Sequence, residues 1–354
     1  MSTPPARKAL DGIPVYRPGK PASSEDHKLS SNENPYPPLP GVMERASAEL
    51  GRINRYPDAG MTDLYQALAT RFGLTTDHFA AGTGSVAVLF ALLNAYLEDG
   101  DEIIYAWRSF EAYPIAADLT GATSVRVPLR ADATHDLDAM AAAVTDRTKV
   151  VLVCTPNNPT GPVVSAADLS AFLARVPDEV LVVVDEAYVE FVRDADAADG
   201  LAVLAEHANV VVLRTFSKAY GLAGLRVGYA IAQPEVALAI RKATPPFAVT
   251  DLSLAAAVAS MEEQEALDQR VEAIVQERIA MVAALREQGF EVPDSEANFV
   301  WLPLGDDALD LAAACDPVSV RPFPGDGVRI SIGDPAVNAE LVTLAGAWLA
   351  SRRS

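Results

Sequence analysis

Short apolar runs alternate with helically spaced stretches along the middle of the chain, and this alternation restricts the fold more than any other feature. Runs at 102–105, 124–127, 149–154, 180–184, 210–213 and 227–231 are rich in Val, Ile and Leu, while helical spacing marks 86–96, the stretch from Glu111 and 166–175. Continuous apolar runs of this length suit strands buried on both faces, and helices between them are what a parallel crossover needs. The expected fold is therefore α/β, a mostly parallel sheet with helices on both faces. Beyond Pro234 long helical stretches follow at 252–261 and 265–288, then strands at 299–302 and 328–332 and a helix at 336–350. That change predicts a smaller α+β domain. The segment before about Pro40, with turn signals such as Arg17-Pro18-Gly19-Lys20-Pro21, reads as an arm joined to it in space. The division expected is 1–50 for the arm and part of the small domain, 51–240 for the large domain and 241–354 for the small one.

The chain has 354 residues, half of them hydrophobic, enough for a large core. No apolar run reaches the roughly 18 residues that span a bilayer, and the first twenty residues lack a signal-peptide core, so a soluble cytoplasmic protein without a membrane partner is expected. With 28 Lys+Arg against 48 Asp+Glu, the net charge of −20 argues against nucleic acid as a partner. Cys154 and Cys315 lie far apart without metal-ligand spacing, which predicts buried free thiols and no metal site.

Four loops carry chemistry. Lys218, in Thr215-Phe216-Ser217-Lys218-Ala219-Tyr220-Gly221-Leu222-Ala223-Gly224-Leu225-Arg226, follows the run 210–213. Ligands of α/β sheets bind at such strand ends, and an amine there can form a Schiff base once its pKa is lowered; the plainer reading is a surface lysine. Asp185 ends the run Val182-Val183-Val184. A carboxylate buried there needs a positive partner such as a pyridinium nitrogen, unless it is simply a helix N-cap. In Cys154-Thr155-Pro156-Asn157-Asn158-Pro159-Thr160-Gly161, a tight turn accounts for the prolines and glycine but not for the paired asparagines, whose amides suit a ring oxygen. Ala81-Gly82-Thr83-Gly84-Ser85-Val86 follows a weakly strand-like stretch and opens a helix, an anion nest that lacks the third glycine of a dinucleotide fingerprint.

Asn-Pro-Thr-Gly, Asp-Glu-Ala-Tyr and Ser-Lys-Ala-Tyr-Gly-Leu-Ala-Gly-Leu-Arg, in this order, resemble the fold-type I, pyridoxal-phosphate-dependent aminotransferases of class II over nearly the whole chain. The resemblance implies pyridoxal 5′-phosphate as cofactor. It makes Lys218 the Schiff-base lysine and proton carrier, and Asp185 the partner of the pyridine nitrogen. Asn158 and Tyr188 would bond the ring's phenolic oxygen, and Phe110 would stack on the ring. Gly84, Ser85, Val86, Ser217 and Arg226 would cradle the phosphate. Tyr56 is similar to a tyrosine that reaches the phosphate in the neighbouring subunit, which implies a homodimer. Arg329, in Val328-Arg329-Ile330-Ser331, resembles the clamp for the substrate α-carboxylate; otherwise it is an edge-strand arginine.

Two subfamilies share these loops. Leu29-Ser30-Ser31-Asn32-Glu33-Asn34-Pro35, Tyr16 and Arg321 resemble histidinol-phosphate aminotransferases, where the counterparts of Tyr16 and Arg321 help hold a phosphate. The segments Trp107-Arg108-Ser109-Phe110-Glu111-Ala112-Tyr113-Pro114, Thr134-His135-Asp136-Leu137-Asp138-Ala139-Met140 and Ala297-Asn298-Phe299-Val300-Trp301-Leu302 are closer to the actinobacterial aromatic amino acid aminotransferases. The expected reaction is transamination between an aromatic L-amino acid (phenylalanine, tyrosine, with tryptophan a further candidate) and 2-oxoglutarate, with Tyr16, Asn32, Arg321 and Arg329 on the substrate; histidinol phosphate is the alternative. Arg321 does not separate the two, since the aromatic group can carry an arginine there. A decarboxylase or β-lyase would share the cofactor loops without needing the carboxylate clamp. A cofactor-sensing regulator would need a DNA-binding domain, for which residues 1–40 are too short.

Overall fold

Ten strands form two sheets among the residues the structure describes, which are 24–353 together with 3, 4, 6, 7, 10, 12 and 13; the structure is a computed structural model. The strands are β1 (Phe79–Gly82), β2 (Glu102–Trp107), β3 (Thr123–Pro128), β4 (Thr148–Cys154), β5 (Leu181–Asp185), β6 (Val210–Thr215), β7 (Gly228–Ile231), β8 (Phe299–Leu302), β9 (Arg321–Phe323) and β10 (Gly327–Ser331). The first seven make one sheet in the order β1-β7-β6-β5-β4-β2-β3. Pairings among β2 to β6 are parallel, whereas β7 runs antiparallel to both β6 and β1.

The apolar runs make this sheet because both of its faces are covered. Val182, Val184, Val210 and Val212 point into one cluster, with Leu169 and Phe172 of the helix Ala166–Leu173. Leu181, Val183, Val211 and Leu213 point into the other, with Leu89, Leu92 and Leu93 of the helix Ser85–Tyr96. At about 1.5–3 kcal/mol for each fully buried aliphatic side chain, these runs outweigh the cost of the carboxylates buried at the end of β5. The edge strand β3 is largely exposed and closes with Pro128, where no ladder partner is lost.

Local signals set the ends of the elements. Ser165 and Thr250 cap the helices Ala166–Leu173 and Asp251–Glu262 by accepting from Asp168 N and Ser253 N. Gly73, Gly121 and Gly289 end their helices in the left-handed region. Two strands depart from the sequence reading. β1 is a full, buried strand despite its weak pattern, because pairing with β7 makes up for Ala80, Ala81 and Gly82. β9, three residues interrupted by Pro322, is ordered by its ladder to β10 and by the helix Ala308–Ala314 packed against it.

The second sheet, β8-β10-β9, is antiparallel and packs on the 25-residue helix Gln264–Gln288, which lies against the closing helix Pro335–Arg353. Residues 27–34 bind the two sheets together. Leu29 N donates to Ser319 O, Ser331 N donates to Leu29 O, and Asn298 Nδ2 donates to Asn32 O, all on the small-sheet side. On the other side Asn32 Nδ2 donates to Tyr188 Oη, and Asn34 Nδ2 to Ala219 O. Asn32 adopts a left-handed φ of 54°, which asparagine tolerates better than most residues.

Candidate active site

The carboxyl ends of β4, β5 and β6, the start of the helix Ser85–Tyr96, and β9 and β10 of the second sheet surround one cavity of about 390 Å³. Lys218 enters it from the loop after β6. Ser217 N donates to Thr215 Oγ1, Leu222 N to Phe216 O and Gly221 N to Lys218 O, so the lysine backbone is held by a tight turn over buried Phe216 and Tyr220. Its Nζ donates to Ser31 O at 3.3 Å. Removal from water, reinforced by the Arg329 and Arg226 guanidiniums, pulls the Lys218 ammonium down to about 7.

Asp185 closes β5 as a strand residue, not as a helix cap. Its Oδ2 accepts from Tyr113 Oη at 2.7 Å, while Oδ1 is buried with no side-chain partner among the described residues. Burial raises the carboxyl to about 6, opposed by the Tyr113 hydrogen bond and the Ala187 backbone N–H. A buried acceptor with no side-chain partner, on a residue that lines the cavity, could hold a cationic ring nitrogen, and the residues around it fit such a group.

The start of the helix Ser85–Tyr96 is built for an anion. Gly84 has a φ of 86° and no side chain caps the helix, which leaves the first N–H groups open toward the cavity. Arg226, itself left-handed at φ 54°, lies so close that a Cβ on Gly84 would sit 2.6 Å from its Nη2. A Cβ on Gly228 would sit 2.6 Å from the Gly84 carbonyl carbon and closer still to Ser85 N. Arg226 Nη1 also donates to Ser217 Oγ at 3.4 Å.

Arg329 projects from β10 into the same cavity, donating through Nη1 to Asn158 Oδ1 at 2.6 Å and through Nη2 to Ser30 O at 2.7 Å. Asn158 lies in the loop after β4, whose Thr155–Pro156 and Asn158–Pro159 peptide bonds are cis. Behind it Asn157 Oδ1 accepts from Ser109 Oγ, and its Nδ2 donates to Arg108 O and Thr160 Oγ1.

Of the residues singled out in the sequence, Ser85, Val86, Phe110, Asn158, Asp185, Tyr188, Ser217, Lys218, Arg226, Asn32, Arg321 and Arg329 all line this cavity. Gly84 lies beneath Arg226 at its edge. Tyr56 lies elsewhere, 81% exposed and stacked on Phe247 with ring centroids 4.7 Å apart. Tyr16 falls outside the described residues. The sequence reading gave no role to Tyr113, Glu111 or Cys154, which reach the site too. Tyr113 stands one helical turn after Phe110, and that spacing is the signal that could have found it. The Cys154 thiol is buried as expected, and burial pushes it up to about 12.

A lysine poised near neutrality, a buried carboxylate and an open helix start meet at the strand ends of a mostly parallel sheet, with Arg329 of the second sheet facing them, in the α/β architecture of a fold-type I transferase. The chain belongs to the class I and II aminotransferases, whose family model matches residues 24–343. It is 57% identical to an aromatic amino acid aminotransferase of Streptomyces avermitilis over 342 residues, 95% of each chain. A second aromatic amino acid aminotransferase, from Thermobifida fusca, is 53% identical over 97% of this chain and 96% of its own. Among solved structures, histidinol-phosphate aminotransferase from Sinorhizobium meliloti in complex with pyridoxal 5′-phosphate superposes with a TM-score of 0.88 at 26% identity, covering 99% of both chains.

Proposed function

We propose that this protein is a pyridoxal-phosphate-dependent transaminase that passes the amino group of phenylalanine or tyrosine to 2-oxoglutarate, giving an aromatic 2-oxo acid and glutamate. The meeting of Lys218, Asp185 and Arg329 in one cavity carries the reading. The names of relatives 48–57% identical to the chain support the aromatic substrate. When bound, pyridoxal 5′-phosphate supplies a carbonyl for the amine and a ring that draws electrons from the substrate Cα.

Asp185 would hold its ring nitrogen, Phe110 its ring face, and Asn158 and Tyr188 its phenolic oxygen. Ser85, Val86, Ser217 and Arg226 would hold its phosphate. Lys218 is half-buried and has a pKa close to neutrality, so its Nζ can take the proton from Cα as base and return it as acid. Arg329, braced by Asn158 and Ser30 O, binds the α-carboxylate with a planar fork that a lysine would not supply.

The same reading makes the protein a cytoplasmic homodimer. Tyr56, Ile53 and Phe247 are exposed apolar groups on one part of the surface, which supports a subunit contact through which Tyr56 reaches the partner's site. Residues 51–240 would form the large domain and 241–354, with the arm 1–50, the small one. That division is supported by β1 to β7 falling between 79 and 231 and β8 to β10 between 299 and 331.

A substrate panel tests the function. Phenylalanine or tyrosine with 2-oxoglutarate should turn over with a higher kcat/KM than histidinol phosphate, and the reverse order would refute the aromatic reading. Lys218→Ala should lose both transamination and the absorbance of the covalently held cofactor; a variant keeping both would refute the mechanism.

A further inference from the structure

We infer that Glu111 sets the side-chain preference of the site, by an ion pair with Arg321 that disfavours phosphate-bearing amines and leaves room for uncharged aromatic ones. This rests on the transaminase reading above.

Among the described residues four cations line the cavity: Lys218, Arg226, Arg321 and Arg329. Arg226 sits at the anion nest with Ser217, and Arg329 is braced by Asn158 and Ser30 O. Arg321 differs, because its Nη2 donates to the Glu111 carboxylate at 2.9 Å, inside the cavity wall. Arg321 and Arg329 are also directly opposite each other on β9 and β10. Like charges in that position repel, and together they would make a strongly anion-binding corner.

Glu111 changes the charge of that corner. It follows Phe110 and precedes the helix Ala112–Thr120, so the turn that delivers the aromatic ring to the cavity delivers the carboxylate with it. The Arg321 side chain is 14% exposed and that of Glu111 33%, partly withdrawn from water and its screening. Glu33 lines the same cavity, with Lys28 Nζ 3.0 Å away. A doubly charged phosphate approaching Arg321 would have to displace Glu111 and then lie beside it, whereas an uncharged ring leaves the ion pair intact. The Arg321 guanidinium already lies near one ring, with its Cζ 5.7 Å from the Phe323 centroid, so aromatic surface is part of this corner. Discrimination thus comes from an element repulsive to the wrong ligand as much as from attraction to the right one.

The experiment compares wild-type holoenzyme with Glu111→Gln, which keeps the shape and removes the charge. The quantity read is kcat/KM for histidinol phosphate divided by kcat/KM for phenylalanine. This ratio should rise about tenfold or more, the scale of one partly desolvated charge contact. Inhibition of phenylalanine turnover by inorganic phosphate should tighten in the same variant. Adding Arg321→Gln should abolish both gains, because the guanidinium that Glu111 neutralises is then gone. A ratio unmoved by Glu111→Gln, or a gain that persists without Arg321, would overturn the assignment. Failure of the aromatic reading is distinct, since it would show in the wild type alone as a preference for histidinol phosphate.

Discussion

Tyr113 Oη donates a 2.7 Å hydrogen bond to Asp185 Oδ2, so a phenol on the helix Ala112–Thr120 grips the carboxylate at the end of β5. Both groups are buried, and Tyr113 packs edge-on against Phe110 and Tyr105. The bond fixes one carboxylate oxygen and leaves the other facing the cavity. Tyr113→Phe should cost about 1–3 kcal/mol, because it strands a buried acceptor. In a double-mutant cycle with Asp185→Asn, followed by urea denaturation, the coupling should exceed about 0.5 kcal/mol. Strict additivity would mean that the two residues act independently.

Lys218 makes stability depend on pH. Its folded pKa is about 7, against 10.5 for the free side chain, so between those values the unfolded chain holds a proton that the folded lysine does not. Cofactor-free protein should therefore become more stable as pH rises from 7 toward 10.5, with the full penalty present below 7. Lys218→Met should remove that part of the rise. Urea midpoints of both proteins at pH 7 and pH 9.5 check it, and parallel changes in the two would count against a depressed lysine.

Beside Asp185, Glu186 faces away from the site's chemistry. Arg214 Nε and Nη2 donate to its Oε2 at 2.9 and 2.7 Å, and Gly200 N donates to its Oε1. Arg214→Leu should cost about 3–5 kcal/mol by leaving a buried carboxylate without its cation. Adding Glu186→Gln should recover much of that loss. A single variant as stable as the wild type, measured by denaturant, would exclude this role.

Gly228 and Gly224 should respond oppositely to alanine. At Gly228 the new methyl would collide with the backbone of Gly84 and Ser85, whereas at Gly224 nothing lies within 4 Å. Gly228→Ala should lose about 1–3 kcal/mol and Gly224→Ala no more than about 0.5. Cofactor titration should show weaker binding for Gly228→Ala, since the displaced residues begin the anion nest. Equal behaviour of the two variants would contradict the close approach of β7 to the helix start.

Three of the four motif loops were legible in sequence because each follows a buried apolar run, and β5 and β6 both deliver their chemistry at the carboxyl end. Less of the site's pairing could be read. Arg329 on Asn158, Glu111 on Arg321 and Tyr113 on Asp185 join residues 171, 210 and 72 positions apart, and no local pattern encodes such partners. β1 and β9 were hard to see for a related reason. Their small residues and Pro322 carry little intrinsic strand preference, and the neighbouring strand supplies the order.

The contacts of residues 27–34 also bear on when the site can form during synthesis. Asn32 reaches Tyr188 across 156 positions and Ser331 across 299. On a ribosome adding about 5–20 residues per second, Ser331 is made roughly 15–60 s after Asn32. The lysine loop and most of the large sheet exist well before this roof can close over them. Until β9 and β10 are made, Arg321 and Arg329 are missing from the cavity wall, so the pocket is completed only near the end of synthesis of these residues.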